Sequence, residues 1–262
     1  PLKFQDIKPR LLGHWGTCHG INVAYANFKT FFEDNLDFMF VLGPGHGFPA
    51  LQANLFLDHD LEKIDKNATH SKSGIAYICK NFSWPDGFPS HASPFTPNII
   101  TEGGELGYAL ANSYGLALGH PEKTIAVLLG DGEFETGSAL ASMNLKNLLG
   151  GKGNGRVLPI LHVNGYKISG PTVFARKSER EQNELIRGFG FTPISATDDI
   201  EKFQLALSEA ASVDSPFIIF ESEKGATGPL EVSGQKVAGN FLAHQIPLPL
   251  AKSDPEQLKI LE

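Results

Sequence analysis

The sequence predicts an α/β fold: a doubly wound, mostly parallel sheet with helices on both faces. Three observations predict it. Five short apolar runs lack polar alternation, as strands buried on both faces do. Segments of helical period lie between them. Glycine clusters stand at run ends, where open α/β sheets hold ligands. The 262 residues can bury a sizeable core as one large domain or two small ones.

In chain order, Ile21 to Phe32 carry helical period, and Phe38 to Leu42 form the first strand, closed by the cluster Gly43 to Pro49. Asn81 to Asn98 holds Pro85, Pro89, Pro94 and Pro97 without a regular period, so an irregular excursion is expected there. Glu105 to Leu118 predicts a helix with Leu106, Ala109, Leu110, Ser113, Tyr114, Ala117 and Leu118 on its buried face. Thr124 to Leu129 is a strand and Glu135 to Leu149 a helix. Gly150 to Gly155 lacks the Lys-Ser/Thr ending of a phosphate loop and reads as a flexible connection. The strand Val157 to Val163, the helix Ser178 to Gly188 and the strand Thr192 to Ala196 follow. Asp199 to Ala211 is a helix capped by Asp198 or Asp199, with Ile200, Phe203, Leu207 and Ala210 inward. Pro216 to Glu221 is the last strand. From Gly239 onward, Pro247, Pro249 and Pro255 mark an exit segment and linker.

Lys+Arg 22 against Asp+Glu 29 gives a net charge of −7 with no basic run, which argues against nucleic-acid or anionic-membrane binding. No run of 18 apolar residues exists, so a spanning helix is excluded. The first ten residues lack the apolar core of a signal peptide, and the two cysteines, Cys18 and Cys79, make no disulfide framework. A reducing, cytoplasmic location is expected. The chain begins on proline, as expected of a trimmed or excised chain.

The strongest chemical signal is Gly130-Asp131-Gly132 at the end of a strand. Asp131 projects where ligands bind, and the glycines admit close approach. The next strand ends in Asn164-Gly165. A carboxylate and an amide oxygen at neighbouring strand ends suit Mg²⁺, with water and phosphate oxygens completing the shell. Taken singly, the two motifs are equally a turn and a hairpin corner; together they favour a metal–diphosphate site. Thr101-Glu102-Gly103-Gly104-Glu105 precedes a helix and reads either as an anion site or as an ordinary acidic cap. His14, His46 and His244 sit in loops, where they could serve phosphate or move protons, or simply lie at the surface. Lys224, just after the last strand, is either a diphosphate contact or a solvated loop lysine. No zinc spacing, Walker loop, GxGxxG or nucleophile elbow is present.

These residues resemble the phosphoketolases, a branch of the thiamine-diphosphate enzymes. The resemblance rests on Leu11-Leu-Gly-His-Trp-Gly-Thr17, Leu42-Gly-Pro-Gly-His-Gly47, Glu102-Gly-Gly-Glu-Leu-Gly-Tyr108, Gly130-Asp-Gly-Glu-Phe-Glu-Thr-Gly137 with Leu158 to Ile168, and Ala243-His-Gln245. It covers nearly the whole chain. Transketolases share the architecture but usually show two asparagines where this chain has Val163-Asn164. The chain departs from the branch at Ala226, where a tryptophan is usual, at Cys18-His19, and at Phe48.

The resemblance implies a diphosphate-binding (PP) domain over 1–240 and, over 241–262, an exit toward a pyrimidine-binding domain. Asp131, Asn164 and the Tyr166 backbone oxygen would hold Mg²⁺. His14, Gly103, Gly104, Gly132, Glu133 and Lys224 would serve the thiamine diphosphate, with His14 also among the catalytic groups. His46 and His244 would face the reacting carbons. The implied reaction cleaves xylulose 5-phosphate or fructose 6-phosphate with inorganic phosphate to acetyl phosphate and a shortened aldose phosphate. A glutamate from a pyrimidine-binding domain would complete the site, on the same longer chain or another subunit, in a homodimer or larger assembly. A transketolase-type ketol transferase and a non-catalytic cofactor-binding module are the alternatives.

Overall fold

In a computed structural model of the chain, the described residues are 1–9, 11, 13–32, 37–149 and 153–262. Five parallel strands, β1 (Phe38–Leu42), β2 (Thr124–Gly130), β3 (Arg156–Val163), β4 (Thr192–Thr197) and β5 (Pro216–Glu221), pair in the order β1-β2-β3-β5-β4. All five match the apolar runs to within one residue. Neighbouring residues on each strand enter opposite cores, as the pleat requires. Ala126 and Leu128 of β2 and Ile218 and Phe220 of β5 face one core; Ile125, Val127, Leu129, Phe217 and Ile219 face the other.

The first core is closed by α1 (Trp15–Phe31), α2 (Phe48–Leu57) and α10 (Ile200–Ser212), through Ile21, Phe28, Leu51, Phe203 and Leu207. The second is closed mainly by α5 (Ala109–Gly119) and α9 (Glu179–Gly188), through Leu110, Tyr114 and Ile186. Helix starts follow capping chemistry. The Asp199 carboxylate accepts from the Lys202 N–H at 3.0 Å, and Ser178 forms a capping box with Glu181. Ile200, expected inward, is exposed, while Phe203, Leu207 and Ala210 are buried.

Three predicted helices differ from expectation. The first begins six residues early, at Trp15. The helix expected from Glu105 begins at Ala109, because Gly107 takes φ +99, a value that favours glycine. Leu106 and Leu118, expected inward, are exposed. The helix expected over 135–149 is instead α7 (Gly137–Ser142) and α8 (Leu145–Leu149), preceded by α6 (Asp131–Phe134). Thr136 breaks it: its Oγ1 accepts from the Ala139 N–H and caps a new start.

Also present are α3 (Leu61–Ile64) and α4 (Lys72–Asn81), which with α2 were not assigned from sequence. The stretch after Asn81 is irregular, as expected. Leu12 of the first motif and Gly150, Gly151 and Lys152 of the expected flexible connection lie outside the described residues. Beyond β5, a short hairpin of β6 (Glu231–Val232) and β7 (Gln235–Lys236) packs Val232 and Val237 with Ala243 and Leu248. The exit segment thus packs on the body through Ala251 and, in α11 (Pro255–Leu261), through the buried Gln257, which donates to the Ser233 hydroxyl at 3.4 Å. Among the described residues no helix is long and apolar enough to cross a membrane.

Candidate active site

The carboxyl ends of β1, β2, β3 and β5 bring His46, Asp131, Asn164 and Lys224 to one end of the sheet. Asp131 follows β2 directly and is buried. Its Oδ2 accepts from the Gly165 N–H at 2.8 Å and the Thr172 hydroxyl at 3.1 Å, and its Oδ1 from the Gly132 N–H at 2.9 Å. Asp131 therefore fixes the loop after β3. Gly165, at φ +90, turns that loop. Asn164 Oδ1 then accepts from the Tyr166 N–H at 3.2 Å. The far side of the loop is held by Glu135, which binds the Lys167 ammonium at 2.5 Å and the Val173 N–H.

Lys224 enters this group from the loop after β5. Its Nζ donates to the Tyr166 carbonyl at 2.7 Å and to Asn164 Oδ1 at 3.3 Å. Burial lowers the ammonium to about 8, against the pull of Asp131. Burial also raises the Asp131 carboxyl, although three hydrogen bonds and Lys224 oppose the shift.

Expected roles for two other residues meet a different arrangement. Glu133, expected at the cofactor, gives both oxygens to backbone: Oε1 accepts from the Gly107 N–H and Oε2 from the Gly130 N–H, each at 3.1 Å. It ties the end of β2 to the loop ahead of α5. Full burial pushes its carboxyl up to about 7. Gly104 is exposed, with its N–H turned to the Glu102 carboxylate. Gly103, expected at the diphosphate, packs against Gly45: a Cβ on Gly45 would lie 2.0 Å from its Cα.

Beside this group stand four histidines. The His46 and His244 rings are 4.6 Å apart, and the His14 and His91 rings 5.8 Å apart. His14 Nδ1 donates to the His46 carbonyl, which leaves the His14 Nε2 lone pair free in the neutral ring. His14 Nε2 and His46 Nε2 are both buried without a hydrogen-bond partner among the described residues. Burial lowers His46 to about 3 and His244 to about 4, and the neighbouring Lys224 and histidine charges push both the same way. These rings are neutral at pH 7.

Two residues were missed in the sequence. His91 lies in the proline-rich excursion, which carries no periodicity. It is brought in because the Ala92 N–H bonds the Gly45 carbonyl at 3.0 Å and the Gly103 N–H bonds the Ala92 carbonyl at 2.7 Å. Thr172 is buried behind Asp131, and the turn residues Gly170-Pro171 before it were the available signal.

The departures from the resembled pattern have local explanations. Phe48 is fully buried at the start of α2. The Cys18 thiol donates to the His14 carbonyl at 3.0 Å, and His19 reaches Asp198 at 3.1 Å. Ala226 sits in a loop whose Gly228 lies against the Trp15 indole.

His162 is a core residue. It is buried, stacked on Phe220 at 5.0 Å and hydrogen-bonded to Ser222 at 2.7 Å. Burial pushes it from 6.5 down to about 3. Between those values the unfolded chain binds a proton that the folded chain does not. The stability is present above pH 6.5 and lost as pH falls, at about 1.4 kcal/mol per pH unit for this group. Urea unfolding at pH 4 to 6 is expected to give a slope shallower by about that amount in His162→Gln. An equal slope would show that this imidazole is not desolvated.

The sequence matches the family described as the XFP N-terminal domain over residues 1–215 and 196–262. The chain belongs to the phosphoketolase N-terminal domain family. Curated relatives include proteins named "Probable phosphoketolase" from Bradyrhizobium diazoefficiens, 42% identical over 286 residues, and Streptomyces coelicolor, 41% identical over 285 residues. Each alignment covers 100% of this chain and 36% of the relative, so the chain spans about a third of the relatives' length. Among solved structures, a Pichia stipitis transketolase complexed with sedoheptulose 7-phosphate matches with TM-score 0.67 and 21% identity, over 95% of this chain and 37% of that one. A Campylobacter jejuni transketolase matches with TM-score 0.64 and 19% identity, over 94% and 41%. These structural matches agree with the phosphoketolase assignment at the level of fold.

The donor set fits a diphosphate-bound Mg²⁺. Among the described residues no three of His, Cys, Asp and Glu converge on a metal position. The available set is one carboxylate, one amide and one carbonyl. That suits a cation that keeps water and diphosphate oxygens rather than one needing a full protein cage.

Proposed function

We propose that this chain is the diphosphate-binding part of a phosphoketolase. It would act on xylulose 5-phosphate, fructose 6-phosphate or both, and release acetyl phosphate and a shortened aldose phosphate. The observation that carries this reading is the meeting, at one end of the sheet, of the Asp131–Asn164–Tyr166 oxygens with four histidines beside Lys224. Asp131, Asn164 and the Tyr166 carbonyl would hold Mg²⁺. Bound there, thiamine diphosphate supplies a nucleophilic carbon and an electron sink.

The chain's own residues provide placement and proton transfer. Gly45 and Gly103 pack backbone against backbone, which sets the His46 loop against the segment ahead of α5. The free His14 Nε2 can accept from a substrate hydroxyl. His46 and His244 can take up a proton and return it to a departing hydroxyl, the step that turns a ketol fragment into an acetyl equivalent. A substrate phosphate near them would raise both rings and place one shared proton on the pair. A pyrimidine-binding domain, on a longer chain or a second subunit, completes the site, in a homodimer or larger assembly.

The test supplies the protein with Mg²⁺, thiamine diphosphate and the chain bearing that domain. Acetyl phosphate formed from either ketose phosphate, and only with inorganic phosphate present, is the expected result. Ketol transfer to an aldose without a phosphate requirement would place the protein with the transketolases. Cofactor binding without turnover would make it a binding module.

A further inference from the structure

Lys224 has an unusual station for a lysine assigned to a diphosphate. It is 2% exposed. Its hydrogen-bond acceptors among the described residues are the Tyr166 carbonyl at 2.7 Å and Asn164 Oδ1 at 3.3 Å. Those are two of the three oxygens assigned above to the divalent cation. Its backbone is pinned on both sides: the Gly225 N–H bonds the Gly16 carbonyl at 3.1 Å, and the Gly239 N–H bonds the Lys224 carbonyl at 2.8 Å. Its stem lies along Gly16, where a Cβ would come within 3.0 Å of Lys224 Cε. With the root fixed, only the flexible stem can carry the ammonium elsewhere.

We propose that the Lys224 ammonium and the divalent cation compete for Asn164 Oδ1 and the Tyr166 carbonyl, so that the cation enters together with the diphosphate rather than ahead of it. The proposal rests on the assignment of those oxygens to the cation. Mg²⁺ binds its oxygen ligands at about 2.1 Å, and an ammonium cannot sit on the same lone pairs beside it. A buried ammonium also cannot simply be released, because it needs acceptors. A diphosphate supplies them and carries more charge than an amide and a carbonyl. Cation and diphosphate therefore assist each other through one side chain, and the coupling is reciprocal.

Mn²⁺ is the probe, with free aquo-Mn²⁺ counted by electron paramagnetic resonance. Without diphosphate, Lys224→Met and Lys224→Gln are expected to bind Mn²⁺ about tenfold more tightly than the unaltered protein. At saturating Mn²⁺ the same variants are expected to bind thiamine diphosphate more weakly. A merely structural lesion weakens both. Equal or weaker Mn²⁺ binding in variants that fold by circular dichroism overturns the competition.

The unaltered protein gives a check that needs no variant. Thiamine diphosphate should raise its Mn²⁺ affinity beyond what their complex in solution accounts for, and an affinity fully explained by that complex overturns the proposal. Asp131→Ala in the Lys224→Met background separates the two readings. Tight Mn²⁺ binding that survives there overturns the cation assignment and the proposal with it. Binding that depends on Asp131 but is no tighter than in the unaltered protein overturns the competition alone.

Discussion

Asp131→Ala is expected to abolish Mg²⁺-dependent binding of thiamine diphosphate, a loss of at least about 100-fold by calorimetric titration. The side chain has two jobs in the same place. It offers the only carboxylate of the proposed cation set. Its Oδ2 also ties down Gly165 and Thr172, and so sets the loop that presents Asn164 Oδ1 and the Tyr166 carbonyl. Alanine removes the charge and frees the loop. Thr172→Val separates these jobs, since it takes away one hydrogen bond to the carboxylate and leaves its charge. About 10- to 100-fold weaker Mg²⁺-dependent binding is expected there, as for other groups that orient a metal ligand. Affinity unchanged in folded Asp131→Ala would remove the cation assignment.

The parts legible in the sequence are those fixed by local chemistry. The strands read clearly because both their faces are covered, which demands continuous apolar runs such as Ile125 to Leu129. The start of α10 was legible because an aspartate caps it. The start of α5 was not, because Leu106 carries the helical spacing and yet is exposed. Gly107 at φ +99 and the Glu133 carboxylate hold that segment as a turn. α2 is apolar over much of its circumference, so no face stands out by period.

The site divides in the same way. Asp131 and Asn164 were legible because each ends a strand beside a glycine. Glu133 shares that motif, and its motif alone could not show that both oxygens are bound to backbone. His91 sits among prolines with no period of its own. The clasp of Ala92 between Gly45 and Gly103 carries it to the other histidines.

The histidine pair carries the second large effect. His46→Ala and His244→Ala are each expected to retain cofactor binding and to lose acetyl phosphate formation by about 10²- to 10⁴-fold, the usual yield of a positioned acid–base group. The rings lie 4.6 Å apart, and the His244 charge adds to burial in holding His46 neutral. At that separation the two imidazoles cannot easily both be charged, so one proton serves the pair. A group that shares its proton acts as a unit, and removing either half removes the unit. The double variant is therefore expected to be about as slow as either single one, rather than slower by the product of the two losses. Single-turnover acetyl phosphate formation, measured beside thiamine diphosphate affinity, distinguishes the cases. Multiplied losses would mean that the rings act on separate steps, and full turnover in both single variants would remove them from the chemistry.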